Sequence, residues 1–119
     1  MSAYREGGGG ISCPECEKPM LGGEDQMSCA SEGCGDWWAR RAVERQVEWT
    51  MVELIEPYRL FGATKELPCP ACGEPMTVSL RAKIEFAHCA AHGLWLPRVG
   101  RNAFAALGGW SGVLATRRR

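Results

Sequence analysis

Cys13-Pro14-Glu15-Cys16-Glu17-Lys18-Pro19-Met20 and Cys69-Pro70-Ala71-Cys72-Gly73-Glu74-Pro75-Met76 are two settings of one phrase, lying at an offset of 56 in a chain of 119 residues. Cys, Pro, Cys, Pro and Met coincide. Each copy continues into a polar stretch, a second pair of metal-ligand types (Cys29 with Cys34; Cys89 with His92), an aromatic or apolar pair (Trp37-Trp38; Trp95-Leu96) and a tail with helical spacing. The economical description is one structural unit written twice.

The spacing carries chemistry. A Cys-x-x-Cys turn presents two sulfurs to neighbouring corners of a tetrahedron, which suits Zn²⁺, and Pro14 and Pro70 stiffen the two turns. Cys29-x4-Cys34 is a looser pair, and Cys89-Ala90-Ala91-His92 keeps the two-residue gap with histidine as its last member. Eight candidates make two sets, Cys13, Cys16, Cys29 and Cys34, and Cys69, Cys72, Cys89 and His92, so two structural Zn²⁺ per chain are expected. Sequential pairing is favoured over a cross-brace of 13/16 with 69/72, because a duplicated unit keeps its own metal. Iron is an alternative occupant of the four-cysteine set only. His88 adjoins Cys89 and competes with His92 for the last position; spacing favours His92 and leaves His88 as a strand residue or a hydrogen-bond donor behind the ligands. Disulfides are disfavoured by the odd count of seven Cys and by the opening MSAYREGGGG, which has no secretory pattern. A thioredoxin-like use of either CxxC turn lacks its βαβ context.

Units this short bury little apolar surface, and a bound metal worth on the order of 10 kcal/mol compensates for a small core. The predicted fold class is therefore a small metal-stabilised α+β protein with two tandem zinc ribbons, each a short β-hairpin with zinc knuckles followed by an α-helix. The boundaries read as a flexible N-terminus at 1–10, a first ribbon and helix at 11–57, a linker at 58–68, a second ribbon and helix at 69–116, and a basic tail at 117–119. Between the ligand pairs, Met76–Lys83 and Ile84–Ala87 have β character, whereas Gly22–Ser28 is too polar and glycine-rich to assign. The sheets are expected to be small. After Gly35-Asp36, with Asp36 as a cap, Ala39, Val43, Val47, Met51 and Ile55 recur every fourth residue, predicting about four helical turns that end at Pro57. In the second copy Pro97 suits a first helical turn, Val99, Ala103 and Leu107 form the stripe, and Gly108-Gly109 supplies the stop.

Cys69-Pro70-Ala71-Cys72-Gly73 and Phe86-Ala87-His88-Cys89-Ala90-Ala91-His92-Gly93-Leu94-Trp95-Leu96, followed by a short helix, resemble the bacterial zinc ribbons related to the transcription factor B-type zinc finger. The resemblance covers residues 69–107 and, more faintly, 13–47. It implies metal ligation by Cys69, Cys72, Cys89 and His92 and a structural place for Trp95 under the helix. His92 stands where those ribbons carry cysteine, the gap to the Trp is one residue shorter, and Pro97-Arg98-Val99-Gly100 replaces their Asp-x-Gly-Glu. Cys29-x4-Cys34 is more similar to ribbons at the ends of type IA topoisomerases.

Closed four-ligand sites leave no position for a catalytic water, so an enzyme is not expected. A protein-protein interaction adaptor, with a role in regulation, is the first expectation. Five tryptophans are more than two small ribbons readily bury, which makes Trp38, Trp49 and Trp110 candidate partner contacts, although packing against helices and between units would also use them. The alternative is a nucleic-acid-binding or transcription-associated ribbon protein. The net charge is zero, but residues 1–60 hold 6 Lys/Arg against 11 Asp/Glu and residues 61–119 hold 8 against 3. The basic half offers Arg81, Lys83, Arg98, Arg101 and Arg117–Arg119 as phosphate contacts, with Arg98 and Arg101 also serving a protein partner. The alternative use of this charge asymmetry is that the halves attract each other or simply face solvent. No membrane partner and no small-molecule substrate is expected, and the thiol clusters point to a reducing, cytoplasmic location.

Overall fold

A computed structural model describes residues 11–23, 25, 26–30, 33–53 and 67–115. The N-terminus, most of the 58–68 linker, Ile55, Pro57 and the basic tail lie outside the described residues. Among those described, no helix is long and apolar enough to cross a membrane.

Among the described residues six antiparallel strands form one sheet: β1 (Met20–Gly22), β2 (Gln26–Cys29), β3 (Gly35–Ala39), β4 (Thr77–Arg81), β5 (Ile84–Cys89) and β6 (Gly93–Pro97). Their spatial order is β1-β2-β3-β6-β5-β4. Two small sheets were expected; instead the third strand of each copy pairs with the third strand of the other. The register pairs Gly35 with Pro97, Trp37 with Trp95 and Ala39 with Gly93. Under an offset of 58, which carries Gly35 to Gly93, Trp37 to Trp95 and Ala39 to Pro97, this pairing maps onto itself, so a pseudo-dyad passes between the two tryptophans. Close approach at the seam requires glycine: a Cβ on Gly35 would land on the carbonyl oxygen of Leu96, and one on Gly93 on that of Trp38.

The sheet is covered on both faces, which explains its apolar central strands. One face packs on helices through Val43, Val47, Trp49, Val52, Ile84, Phe86, Leu94, Leu96, Phe104, Trp110, Val113 and Leu114, with Trp38 against them. The other carries Trp37, Trp95, Met20, Met27, Met76 and Ala87 against the candidate ligand cysteines. Trp95 therefore lies on the ligand side of the sheet and not under the helix. Alternation along β6 makes this unavoidable, because Leu94 and Leu96 take the helix face.

The helical tails differ from the expected ones. The first is broken into α1 (Arg40–Glu44) and α2 (Trp49–Glu53). Asp36 is no cap: it lies within β3. The break turns Trp49 and Val52 into the core and leaves Met51 37% exposed. An unbroken stripe would instead have buried Met51, the smaller apolar surface. Its indole stays satisfied, with Trp49 Nε1 donating to Ala90 O at 2.7 Å while the Arg40 guanidinium lies 5.1 Å from the ring centroid.

In the second copy Pro97 ends β6, a 3₁₀ turn covers Arg98–Gly100, and α3 (Arg101–Leu107) follows. Gly108 closes α3 at φ 90°, its amide bonding to Ala105 O and that of Gly109 to Phe104 O, a Schellman arrangement. The chain then continues into α4 (Trp110–Ala115). The stripe is reversed: Phe104 is buried, whereas Val99 is 91% and Leu107 39% exposed and Ala103 faces solvent. Aromatic packing decides this. Phe104 meets Trp110 at 4.8 Å and Trp38 at 5.5 Å between ring centroids, a larger burial than a valine and a leucine offer.

Candidate metal centre

Each CxxC turn is built the same way. The Cys13 amide donates to Lys18 O and that of Cys69 to Glu74 O, while Glu17 and Gly73 return their amides to Cys13 O and Cys69 O. Within the turn, the Glu15 amide approaches Cys13 Sγ at 3.3 Å and the Ala71 amide Cys69 Sγ at 3.4 Å. Such amide contacts favour sulfur in its charged form. Closing the turn needs a left-handed residue, which is Gly73 at φ 81° in the second copy and Glu17 at φ 69° in the first.

The second ligand pairs come from the end of the middle strand and the approach to the third, so the sheet itself delivers them to the turns. Two groups result, Cys13, Cys16, Cys29 and Cys34, and Cys69, Cys72, Cys89 and His92, with the candidate ligand atoms of each within 4.8 Å of one another. The sequential grouping matches the expectation. His92 presents Nδ1 to the second cluster, 3.4 Å from Cys89 Sγ and 3.8 Å from Cys69 Sγ. His88 points elsewhere: it is buried in β5, its Nδ1 has no hydrogen-bond partner, and burial lowers its pKa, which holds it neutral.

The donor sets fit a tetrahedral cation. Arms of about 2.3 Å to sulfur and 2.0–2.1 Å to imidazole nitrogen give edges of about 3.8 Å between sulfurs and 3.6 Å from sulfur to nitrogen. Cys16 Sγ lies 3.6 Å from Cys29 Sγ, Cys72 Sγ lies 3.9 Å from Cys89 Sγ, and the two sulfur-nitrogen distances bracket the second value. None of the seven cysteines is in a disulfide. Burial pushes Cys13 and Cys34 up, with neighbouring sulfurs adding to the rise at Cys34, and it raises Cys69 to about 12. Thiols crowded and desolvated in this way ionise when a cation replaces their protons. Each group could thus hold one metal ion.

The two clusters are tied across the dyad. The Arg40 amide donates to His92 O at 2.8 Å, and the Arg98 amide donates to Cys34 O at 2.9 Å, the same bond made twice. The last ligand of each cluster is therefore positioned by the first turn that follows the third strand of the other half. Trp95 Nε1 also donates to Glu15 Oε2 at 3.0 Å, so the first CxxC turn is pinned to the second half's central strand. These links join residues far apart in the chain, and sequence spacing carried no sign of them.

The candidate partner contacts are placed differently from the expectation. Trp49 and Trp110 are buried and Trp38 packs against the same core, so the tryptophans form no exposed patch. Arg101 makes a two-pronged bond to Asp36, 3.1 Å to each carboxylate oxygen, and Ser28 Oγ donates to Asp36 Oδ1 at 2.6 Å. Arg81 donates to Leu114 O at 3.0 Å. Arg98 and Lys83 are exposed, and Arg101 keeps an exposed side chain beside Asp36. No family model, no curated protein and no solved structure matches the chain.

Proposed function

We propose that the chain is a non-catalytic protein in which two structural zinc ions complete two tandem zinc ribbons, and that the resulting scaffold acts as a protein-interaction adaptor. Four donors in each cluster satisfy tetrahedral zinc and leave no corner for an activated water, which supports a structural over a catalytic role. The observation that carries the adaptor reading is the stripe of Val99, Ala103 and Leu107. It follows helical spacing, yet it faces solvent beside the exposed Arg98. Helix-in-groove recognition uses such a stripe.

Affinity capture with the intact zinc-loaded chain tests this reading. A discrete partner retained by the native chain and lost with Val99→Glu/Leu107→Glu, at unchanged metal content and melting temperature, is the expected result. Equal retention by both chains would sink it. Metal analysis tests the zinc assignment, and a content well below two per chain contradicts it.

A second reading, a nucleic-acid-binding ribbon protein, draws on Lys83 and Arg98 in the basic half. It has less support, because Arg81 and Arg101 already bond to Leu114 O and Asp36 within the chain. Retention on DNA or RNA at about 50 mM salt that falls steeply by 200 mM would favour it.

A further inference from the structure

The clusters differ in how they shield their sulfurs. Of seven cysteines, Cys72 alone is exposed, whereas its counterpart Cys16 is half-buried; Cys89 is half-buried where its counterpart Cys29 is buried. The cause is local. Glu15 reaches Trp95 and draws the first turn onto the sheet, while its counterpart Ala71 ends in a methyl group that reaches nothing. The amide of Ala71 in the second turn approaches Cys69 Sγ, the buried sulfur of the pair. Cys89 Sγ lies 3.9 Å from Cys72 Sγ and is half-buried, whereas Cys69, the other sulfur of the cluster, is buried.

We infer that Cys72 is the oxidation site of this protein, where a peroxide enters and Cys89 is the resolving partner. The inference rests on the reading that both clusters hold a metal, because ligation keeps each sulfur as a thiolate, the nucleophilic form. The Cys72 sulfur attacks one peroxide oxygen; an S–O bond forms, the O–O bond breaks, and the departing oxygen takes up a proton to leave as water. The Cys89 sulfur then attacks the Cys72 sulfur, forming the disulfide as the S–O bond breaks and the hydroxyl leaves, protonated, as a second water. Two electrons pass from the sulfur pair to the peroxide. With Cys72 and Cys89 joined, only Cys69 and His92 remain to the second cluster, too few to retain a cation, while the first keeps all four donors.

The test treats the full-length zinc-loaded protein with hydrogen peroxide, follows released zinc with a colorimetric chelator and maps disulfides by peptide mass spectrometry. Release of one zinc per chain, a Cys72–Cys89 disulfide, intact Cys13, Cys16, Cys29 and Cys34, and reversal by a thiol reductant are expected. Cys72→His, which keeps a ligand but removes the reactive sulfur, should slow release about tenfold or more. If that chain does not fold, the disulfide map of the native sequence decides. Release of both ions at one rate, or first oxidation within the four-cysteine cluster, would overturn the assignment. Fewer than two zincs before peroxide is added would instead break the metal reading itself.

Discussion

The first half of the sheet closes its own surface, and the second half leaves the equivalent surface open. At the offset of 58 that relates β3 to β6, Arg41 corresponds to Val99 and Arg45 to Ala103. Arg41 and Arg45 converge on Asp25, with nitrogen-oxygen distances of 2.7 and 2.6 Å. Val99 and Ala103 face water. The same contrast runs through the ligand turns, where Glu15 and Glu17 in the first half stand opposite Ala71 and Gly73 in the second. One backbone plan thus supports a polar, internally bonded end and an apolar, more accessible one, so the shared scaffold and the divergent surfaces can be tested apart.

The largest effect should come from removing the two proposed zinc ions. A strong chelator is expected to unfold the whole chain in one transition, since structural zinc contributes on the order of 10 kcal/mol and both clusters share one sheet. Far-ultraviolet circular dichroism checks this; survival of half the signal would mean that the halves fold independently. Next come the seam glycines. Gly35→Ala and Gly93→Ala each place a methyl group on the opposite strand's backbone and should cost about 3 kcal/mol in urea unfolding. A much smaller cost for one of them would show that the dyad is unevenly loaded.

A smaller effect separates the two turns. Glu17→Gly relieves a left-handed residue with a side chain and should raise stability by about 1 kcal/mol, whereas Gly73→Ala should lower it by a similar amount. A Cβ on Gly73 would meet nothing within 4 Å, so backbone conformation alone is being tested.

The smallest effect belongs to Asp25. Hydrogen bonds from Arg45 and then Arg41 hold its carboxylate below the ordinary range. A depressed folded-state pKa contributes stability above the unfolded value and loses it as pH falls through the folded one. Asp25→Asn should therefore lower the melting temperature slightly at pH 7 and less with added salt, and should leave it unchanged well below pH 3.

The two candidate ligand groups were legible because metal coordination demands donor atoms at short fixed spacings, and the repeated Cys-Pro-x-Cys phrase keeps them. The seam was not. Gly35-Asp36-Trp37-Trp38-Ala39 is a central strand covered on both faces, so it lacks the alternation that marks a half-exposed strand, and its Asp36 imitates a helix cap. Periodicity also misjudged both tails, for one physical reason: a few large aromatics outweighed the regular stripe. Trp49 displaced Met51, and Phe104 with Trp110 displaced Val99 and Leu107. The final helix was hidden because Gly108-Gly109 ends one helix and starts the approach to another.

The pairing of β3 with β6 has a consequence for how this architecture can diversify. Two separate chains carrying one unit each would meet about a true two-fold axis, and any substitution would appear on both sides at once. Joined in one polypeptide, the units are released from that identity. One side can take on changes that a symmetric pair would be forced to duplicate, while the Trp37–Trp95 seam keeps the two in register.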